Sequence, residues 1–170
     1  YINLPKWQRL AVQLSASPKW GVWHGQLSAG YSAQGLTIDT STGRHKMNKP
    51  QFTCSANNAF GFKHGWNANL NARYGSTSDY SNFSYIHPTA ILNANVQKSW
   101  AKDRFMVRFG VYDIFRQNYT KSRSYSYGYS SYLDDHYQTR SVVLTFRYRL
   151  NTTRNKYRGT GAGNSEKQRM

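Results

Sequence analysis

No run of apolar residues in this 170-residue chain approaches the roughly 18 to 20 that a helix needs to cross a bilayer, which excludes a helical membrane protein. Cysteine occurs once, at Cys54, so there is no internal disulfide; the residue sits among apolar positions as a small packing group. Carboxylates are scarce, seven Asp and Glu against 23 Lys and Arg, for a formal charge of +16. Acid pairs for hydrolysis are hard to assemble from so few, and no Ser-His-Asp or Cys-His arrangement can be argued, so an enzyme is not expected. The histidines, His24, His45, His64, His87 and His136, lack the spacing of metal ligands. Neither a metal nor a cofactor is expected. Asp134-Asp135-His136 reads as a solvated turn before it reads as a weak cation site. Gly159, Gly161 and Gly163 mimic a phosphate loop without its strand-to-helix setting.

Aliphatic residues are also few. A hydrophobic content of 38% with 16% aromatics and a mean hydropathy of −0.79 would make a thin dry core. No basic-then-apolar leader opens the chain. Tyr1 and Ile2 already stand almost inside a strand pattern, as expected of a mature product or of a piece of something longer.

What the chain does contain is a period-two alternation, repeated about seven times. In the last copy Val142, Leu144, Phe146, Tyr148 and Leu150 share one face, with Val143, Thr145, Arg147 and Arg149 on the other. Trp66, Ala68, Leu70, Ala72 and Tyr74 oppose Asn67, Asn69, Asn71 and Arg73. Phe105, Val107, Phe109 and Val111 oppose Arg104, Met106, Arg108 and Gly110. Ala90, Leu92, Ala94 and Val96 oppose Asn93, Asn95, Gln97 and Ser99. Three earlier strands are expected over about 6–16, 20–35 and 50–62. The apolar set carries one charge, Lys98, close enough to a turn to snorkel.

The connections between these strands alternate short and long. Short turns fall at 17–19, 63–65 and 101–103, and long connections at about 37–49, 75–88 and 117–139. Within the last, 124–129 alternates Ser or Gly with Tyr, which reads as a projecting two-stranded ribbon in preference to another spanning strand. Short periplasmic turns and long outside loops are the pattern of outer-membrane barrels, and parity then places the C-terminus in the periplasm. Trp20, Trp66 and Trp100 stand beside the short turns, as an interfacial girdle requires. The fold class expected is all-β, an antiparallel transmembrane β-barrel segment over 1–150, followed by a polar basic tail over 151–170 in the periplasm.

The net charge and a pI near 10.1 invite a nucleic-acid reading. The basic residues are spread over wet-face positions, connections and tail instead of being gathered into a groove, so no nucleic-acid partner is expected. A soluble basic β-protein that binds nucleic acid stays the least favoured alternative.

At Val111-Tyr112-Asp113-Ile114-Phe115 and again at Val142 to Leu150, the sequence resembles the last two barrel strands of TonB-dependent outer-membrane transporters. The motif stands here as Asp113-Ile114-Phe115 and the terminal alternation as Phe146-Arg147-Tyr148-Arg149-Leu150. The strand ends in leucine where that family has phenylalanine, and the tail continues past it. That tail is similar to the extension of Bacteroidota barrel proteins. The resemblance covers about 50–170 and implies the C-terminal part of a 22-stranded barrel whose plug and TonB box lie elsewhere. It further implies solute uptake powered through TonB, with outer-membrane lipid, the remaining strands, the plug and a surface lipoprotein as partners.

Seven strands leave two open edges that lipid cannot satisfy, so the wall is expected to pair with further strands. Candidate lumen, plug or substrate contacts are Arg73, Asn69, Asn71, Asn93, Asn95, Arg104, Arg108, Arg147 and Arg149, whose amides and guanidinium groups suit a plug or anionic and hydroxyl-rich solutes. Candidate outside-loop contacts are Tyr80, Tyr85, Tyr125, Tyr127 and Tyr129. The alternative function is a non-transporting barrel subunit that scaffolds a surface complex.

Overall fold

The computed structural model describes residues 7–40, 43–126 and 128–150. The expected tail, 151–170, lies outside them. Among the described residues thirteen strands form in chain order: β1 (Gln8–Ala16), β2 (Lys19–Trp20), β3 (Trp23–Thr40), β4 (Gly43–Met47), β5 (Gln51–Gly61), β6 (Trp66–Gly75), β7 (Ser78–Tyr80), β8 (Phe83–Tyr85), β9 (Thr89–Trp100), β10 (Phe105–Tyr112), β11 (Thr120–Ser126), β12 (Tyr129–Asp135) and β13 (Ser141–Tyr148).

The wall is the antiparallel order β1-β3-β5-β6-β9-β10-β13, seven strands as the alternation requires. Register keeps like with like. Arg9 faces Gln34, Asn57 faces Asn71, Asn69 faces Asn95 and Arg108 faces Gln97, whereas Leu14 faces Ala29, Ala56 faces Ala72 and Phe109 faces Leu144. One slip of register would mix the two sets, so the pattern itself selects the pairing. Among the described residues the sheet does not close, and β1 and β13 are each paired on one side.

No dry core results. Met47 and Met106 are the buried hydrophobic residues among those described, while Leu10, Leu14, Phe52, Phe109, Leu144 and Phe146 are between 52% and 72% exposed. All six lie on the apolar face of the wall. Leaving such a side chain in water forfeits about 1.5–3 kcal/mol each, so this face calls for an apolar medium. Cys54 is exposed on the same face, between Ala29 and Tyr74.

The short connections differ in detail from the expectation. Pro18 does not turn the chain at 17–19. It loses its own donor but keeps its carbonyl in the ladder, accepting from Gly25 N at 2.8 Å, and β2 continues the register of β1. The reversal comes at residues 21–22, between Trp20 and its partner Trp23, where Gly21 takes φ +55. At Lys63–Gly65 the turn has His64 at φ 61. A Cβ on Gly65 would meet the Ser99 carbonyl oxygen at 2.3 Å. Ala101, Lys102 and Asp103 take positive φ in succession.

The long connections are more ordered than their composition suggests. β3 runs on to Thr40 and pairs with β4, so most of 37–49 is a hairpin extending the wall strand; Leu36, Thr37 and Ile38 continue the alternation into it. β7 and β8 make a hairpin, and β11 and β12 form the ribbon expected around 124–129. These join through β8 and β11 into a four-stranded sheet, β12-β11-β8-β7.

Candidate functional site

The polar wall is built by strand alternation and held by its own side chains. Ser28 and Ser55 hydroxyls lie 2.8 Å apart, and Asn69 Nδ2 donates to Asn95 Oδ1 at 3.1 Å. Asn71 donates to Asn57, and Asn93 Oδ1 accepts from the Asp113 backbone N–H at 2.9 Å. Arg108 donates twice to Gln97 Oε1, from Nε at 3.2 Å and from Nη2 at 2.9 Å. Arg73, exposed between Ser55 and Ile91, completes the row formed by the amides of β6 and β9.

The loop sheet is fastened to this polar side. Gln34, 7% exposed on β3, accepts from Ser81 N at 2.8 Å and donates to Ser81 O at 3.0 Å, replacing a backbone partner at the tip of the β7–β8 hairpin. Trp7 Nε1 donates to the same Gln34 oxygen at 3.3 Å, and the Arg9 guanidinium lies 4.8 Å over the Tyr80 ring. The second hairpin is tied in turn: Tyr125 N donates to Asn82 O at 3.0 Å, Asn82 Nδ2 to Tyr125 O at 3.1 Å, and the Tyr125 ring stacks on His45. A loop that leaves the wall between β6 and β9 thus reaches across β5 to grip β3.

Asp113 anchors the other side. Its side chain, 2% exposed in total with its backbone, accepts from Gln117 N at 3.1 Å, Asn118 N at 3.3 Å and the Thr139 hydroxyl. Burial pushes its carboxyl up, but Thr139, the two amides and the nearby Arg140 outweigh that and leave it below the usual carboxylate range. With Asn71, Arg73, Ile91, Asn93, Tyr112, Asn118 and Thr139 it lines a concavity of about 370 Å³ between wall and loops.

A third cluster holds the loop sheet together. Tyr119 is stacked between His87 and His136, centroids 3.9 Å and 4.1 Å away, and its hydroxyl lies 3.2 Å from His87 Nδ1. His136 Nδ1 and Lys121 Nζ lie 2.6 Å and 3.1 Å from the two oxygens of Asp134. Burial raises the Asp134 carboxyl, and the Lys121 hydrogen bond and the charges around it outweigh this and lower it. Asp134 is therefore committed to its neighbours. Among the described residues no three His, Cys, Asp or Glu gather as a metal-binding group.

The expected wall residues are thus brought together in two groups: Asn69, Asn71, Arg73, Asn93 and Asn95 on β6 and β9, and Arg104, Arg108, Arg147 and Arg149 along β10 and β13. The tyrosines are not gathered into one patch. Tyr80 packs under Arg9, Tyr85 pairs with Ser122, Tyr125 stacks on His45 and Tyr129 is 65% exposed at the ribbon's end. Tyr127 lies outside the described residues. Gln34, Ser81 and the Asp113 carboxylate were not singled out from sequence as contacts, although Asp113 stands in the Asp-Ile-Phe motif.

The charged exception on the apolar face resolves locally. Lys98, opposite Trp66, lies 5.0 Å over that indole and donates to the His64 carbonyl in the short turn. A family model described as the outer membrane protein beta-barrel family matches residues 1–148. No curated protein and no solved structure matches.

Proposed function

Because the chain belongs to the outer membrane protein beta-barrel family, we propose that it forms part of the wall of a solute-uptake barrel of the TonB-dependent type, its polar face lining the lumen. The apolar face meets lipid, and the open edges of β1 and β13 pair with further barrel strands, since unpaired backbone groups cost several kcal/mol each in hydrocarbon. The single observation that carries the reading is the loop sheet fastened by Gln34 to the polar side of the wall. Loops that served only as surface decoration have no reason to bend over the wet face. In this reading the loop sheet covers the outer mouth, and the short turns and the C-terminus are periplasmic. A plug within the lumen, TonB acting through it and a surface lipoprotein over the loops complete the machine.

Charged maleimide applied to intact cells tests the orientation. Ser130→Cys in the ribbon should be labelled, and Lys63→Cys in a short turn should react only after the outer membrane is opened. The reverse result overturns the placement. Transport is tested by cross-linking: a plug carried by the same barrel and captured with TonB supports uptake, while a barrel with neither supports the scaffolding alternative.

A further inference from the structure

Among the described residues the side chains of the polar wall strands carry one sign of charge. Of the seven carboxylates, Asp39 belongs to the β3–β4 hairpin and Asp79, Asp134 and Asp135 to the loop sheet. Asp103 lies in a short turn, Asp113 follows β10 and Glu166 lies in the tail. Among the described residues none is on the wet face of a wall strand. Besides Arg9 and Arg73, the arginines there are Arg108 on β10, Arg147 on β13, and Arg104 and Arg149 on the residues that adjoin those strands.

Arg147 pairs with Met106, Thr145 pairs with Arg108, and Arg149 N donates to Arg104 O at 2.9 Å. By alternation Arg104, Arg108, Arg147 and Arg149 all project from the same face of two neighbouring strands. Arg104 and Arg108 are about 13 Å apart along the strand, with the next strand about 4.8 Å away. Like charges so placed repel one another. Gln97 fixes the guanidinium of Arg108 through Nε and Nη2, and among the described residues nothing accepts from its Nη1 edge. The hydrogen-bonding partner is a neutral amide, so the positive charge is oriented without being neutralised.

We propose that this arginine strip binds solutes carrying two or more oxyanion groups, phosphate or carboxylate. Spaced guanidinium forks match such groups by charge-assisted, bidentate hydrogen bonds, and the strip's length suits a solute with separated charges better than a single small ion. The inference rests on the reading that the polar face lines the lumen.

The test uses the barrel purified intact from outer membranes, titrated calorimetrically with pyrophosphate and, separately, with citrate. Binding of either is expected, and the stronger of the two tells phosphate from carboxylate. Arg108→Gln and Arg147→Gln should each weaken it about tenfold. Lys102→Gln, which removes the same charge from the neighbouring turn, should leave Kd unchanged. Gln97→Leu should weaken binding with every arginine retained, and it gives the same reading should Arg108→Gln fail to assemble. Absence of binding to both probes overturns the proposal, as it would if a protein's carboxylates already filled the strip; so does an equal loss in Lys102→Gln. Labelling of Thr145→Cys by a water-soluble maleimide keeps the two ideas apart. If Thr145→Cys is labelled and nothing binds, only the strip fails; if it is sealed from water, the lumen reading itself fails.

Discussion

The Trp23 indole donates to Asn58 Oδ1 at 2.8 Å on the apolar face of the wall, where a polar amide is otherwise out of place. The indole reaches Asn58 by lying over Gly25, at which a Cβ would stand 2.6 Å from Trp23 Cζ2 and 3.1 Å from Pro18 Cγ. Glycine at that position is what lets a tryptophan lie flat and satisfy an asparagine facing hydrocarbon. Trp23→Phe removes the donor and should cost about 1–3 kcal/mol, because the Asn58 amide oxygen is left unpaired in an apolar medium while its nitrogen keeps only the Leu70 carbonyl at 3.5 Å. The double variant Trp23→Phe/Asn58→Leu should recover most of that loss. Urea unfolding of the barrel in lipid vesicles checks the cycle; additive costs would contradict the pairing.

Gln34 is one fastener of the loop sheet, beside the hydrogen bonds that Asp79 exchanges with the Lys49 backbone at the base of the same hairpin. Gln34→Ala should loosen the tip of the β7–β8 hairpin while the wall stays assembled and Asp79 keeps its bonds to Lys49, since both Ser81 backbone groups lose their partner. Hydrogen exchange at the Ser81 amide should quicken by about tenfold or more, the equivalent of a hydrogen bond worth about 1.5 kcal/mol. Unchanged exchange at Ser81 would mean that other contacts hold the hairpin.

The histidine sandwich gives the loop sheet a pH dependence. Burial first, and then the charges of Lys121 and His136, hold His87 below its ordinary 6.5, with Asp134 opposing. A base whose pKa is depressed on folding contributes its full stability above its ordinary pKa and loses it as pH falls through the folded value. The loop sheet should therefore loosen as pH drops below about 6.5. Anisotropy of a dye on Ser130→Cys, followed from about pH 8 to pH 5, reads this directly. His87→Gln should flatten the profile, and a profile unchanged in His87→Gln would assign the effect to another group.

The wall was legible because its signal is local. Alternation of Asn and Arg with Ala, Leu and Phe fixes face and register strand by strand, and Ser-Tyr alternation marked the β11–β12 ribbon. Pro18 misled because its missing donor suggests a turn, whereas its carbonyl keeps the ladder running to Gly21. Asn58 breaks the alternation and is explained only by an indole 35 residues away. Gln34 likewise grips a backbone 47 residues along, a contact that no periodicity announces. Local pattern specified the strands; the placement of the loops over them depends on a small set of long-range hydrogen bonds and ring contacts.

The measurement that tests the two-faced wall most directly is a pair of arginine substitutions on adjacent residues of β6. Leu70 stands 39% exposed on the apolar face, and Asn69 is hydrogen-bonded to Asn95 on the polar face. Leu70→Arg should cost about 2–4 kcal/mol near the bilayer midplane and reduce the assembled, heat-modifiable barrel, while Asn69→Arg should assemble as the unsubstituted protein does. Equal assembly of the two variants, or failure of Asn69→Arg alone, would contradict the assignment of lipid to one face and water to the other.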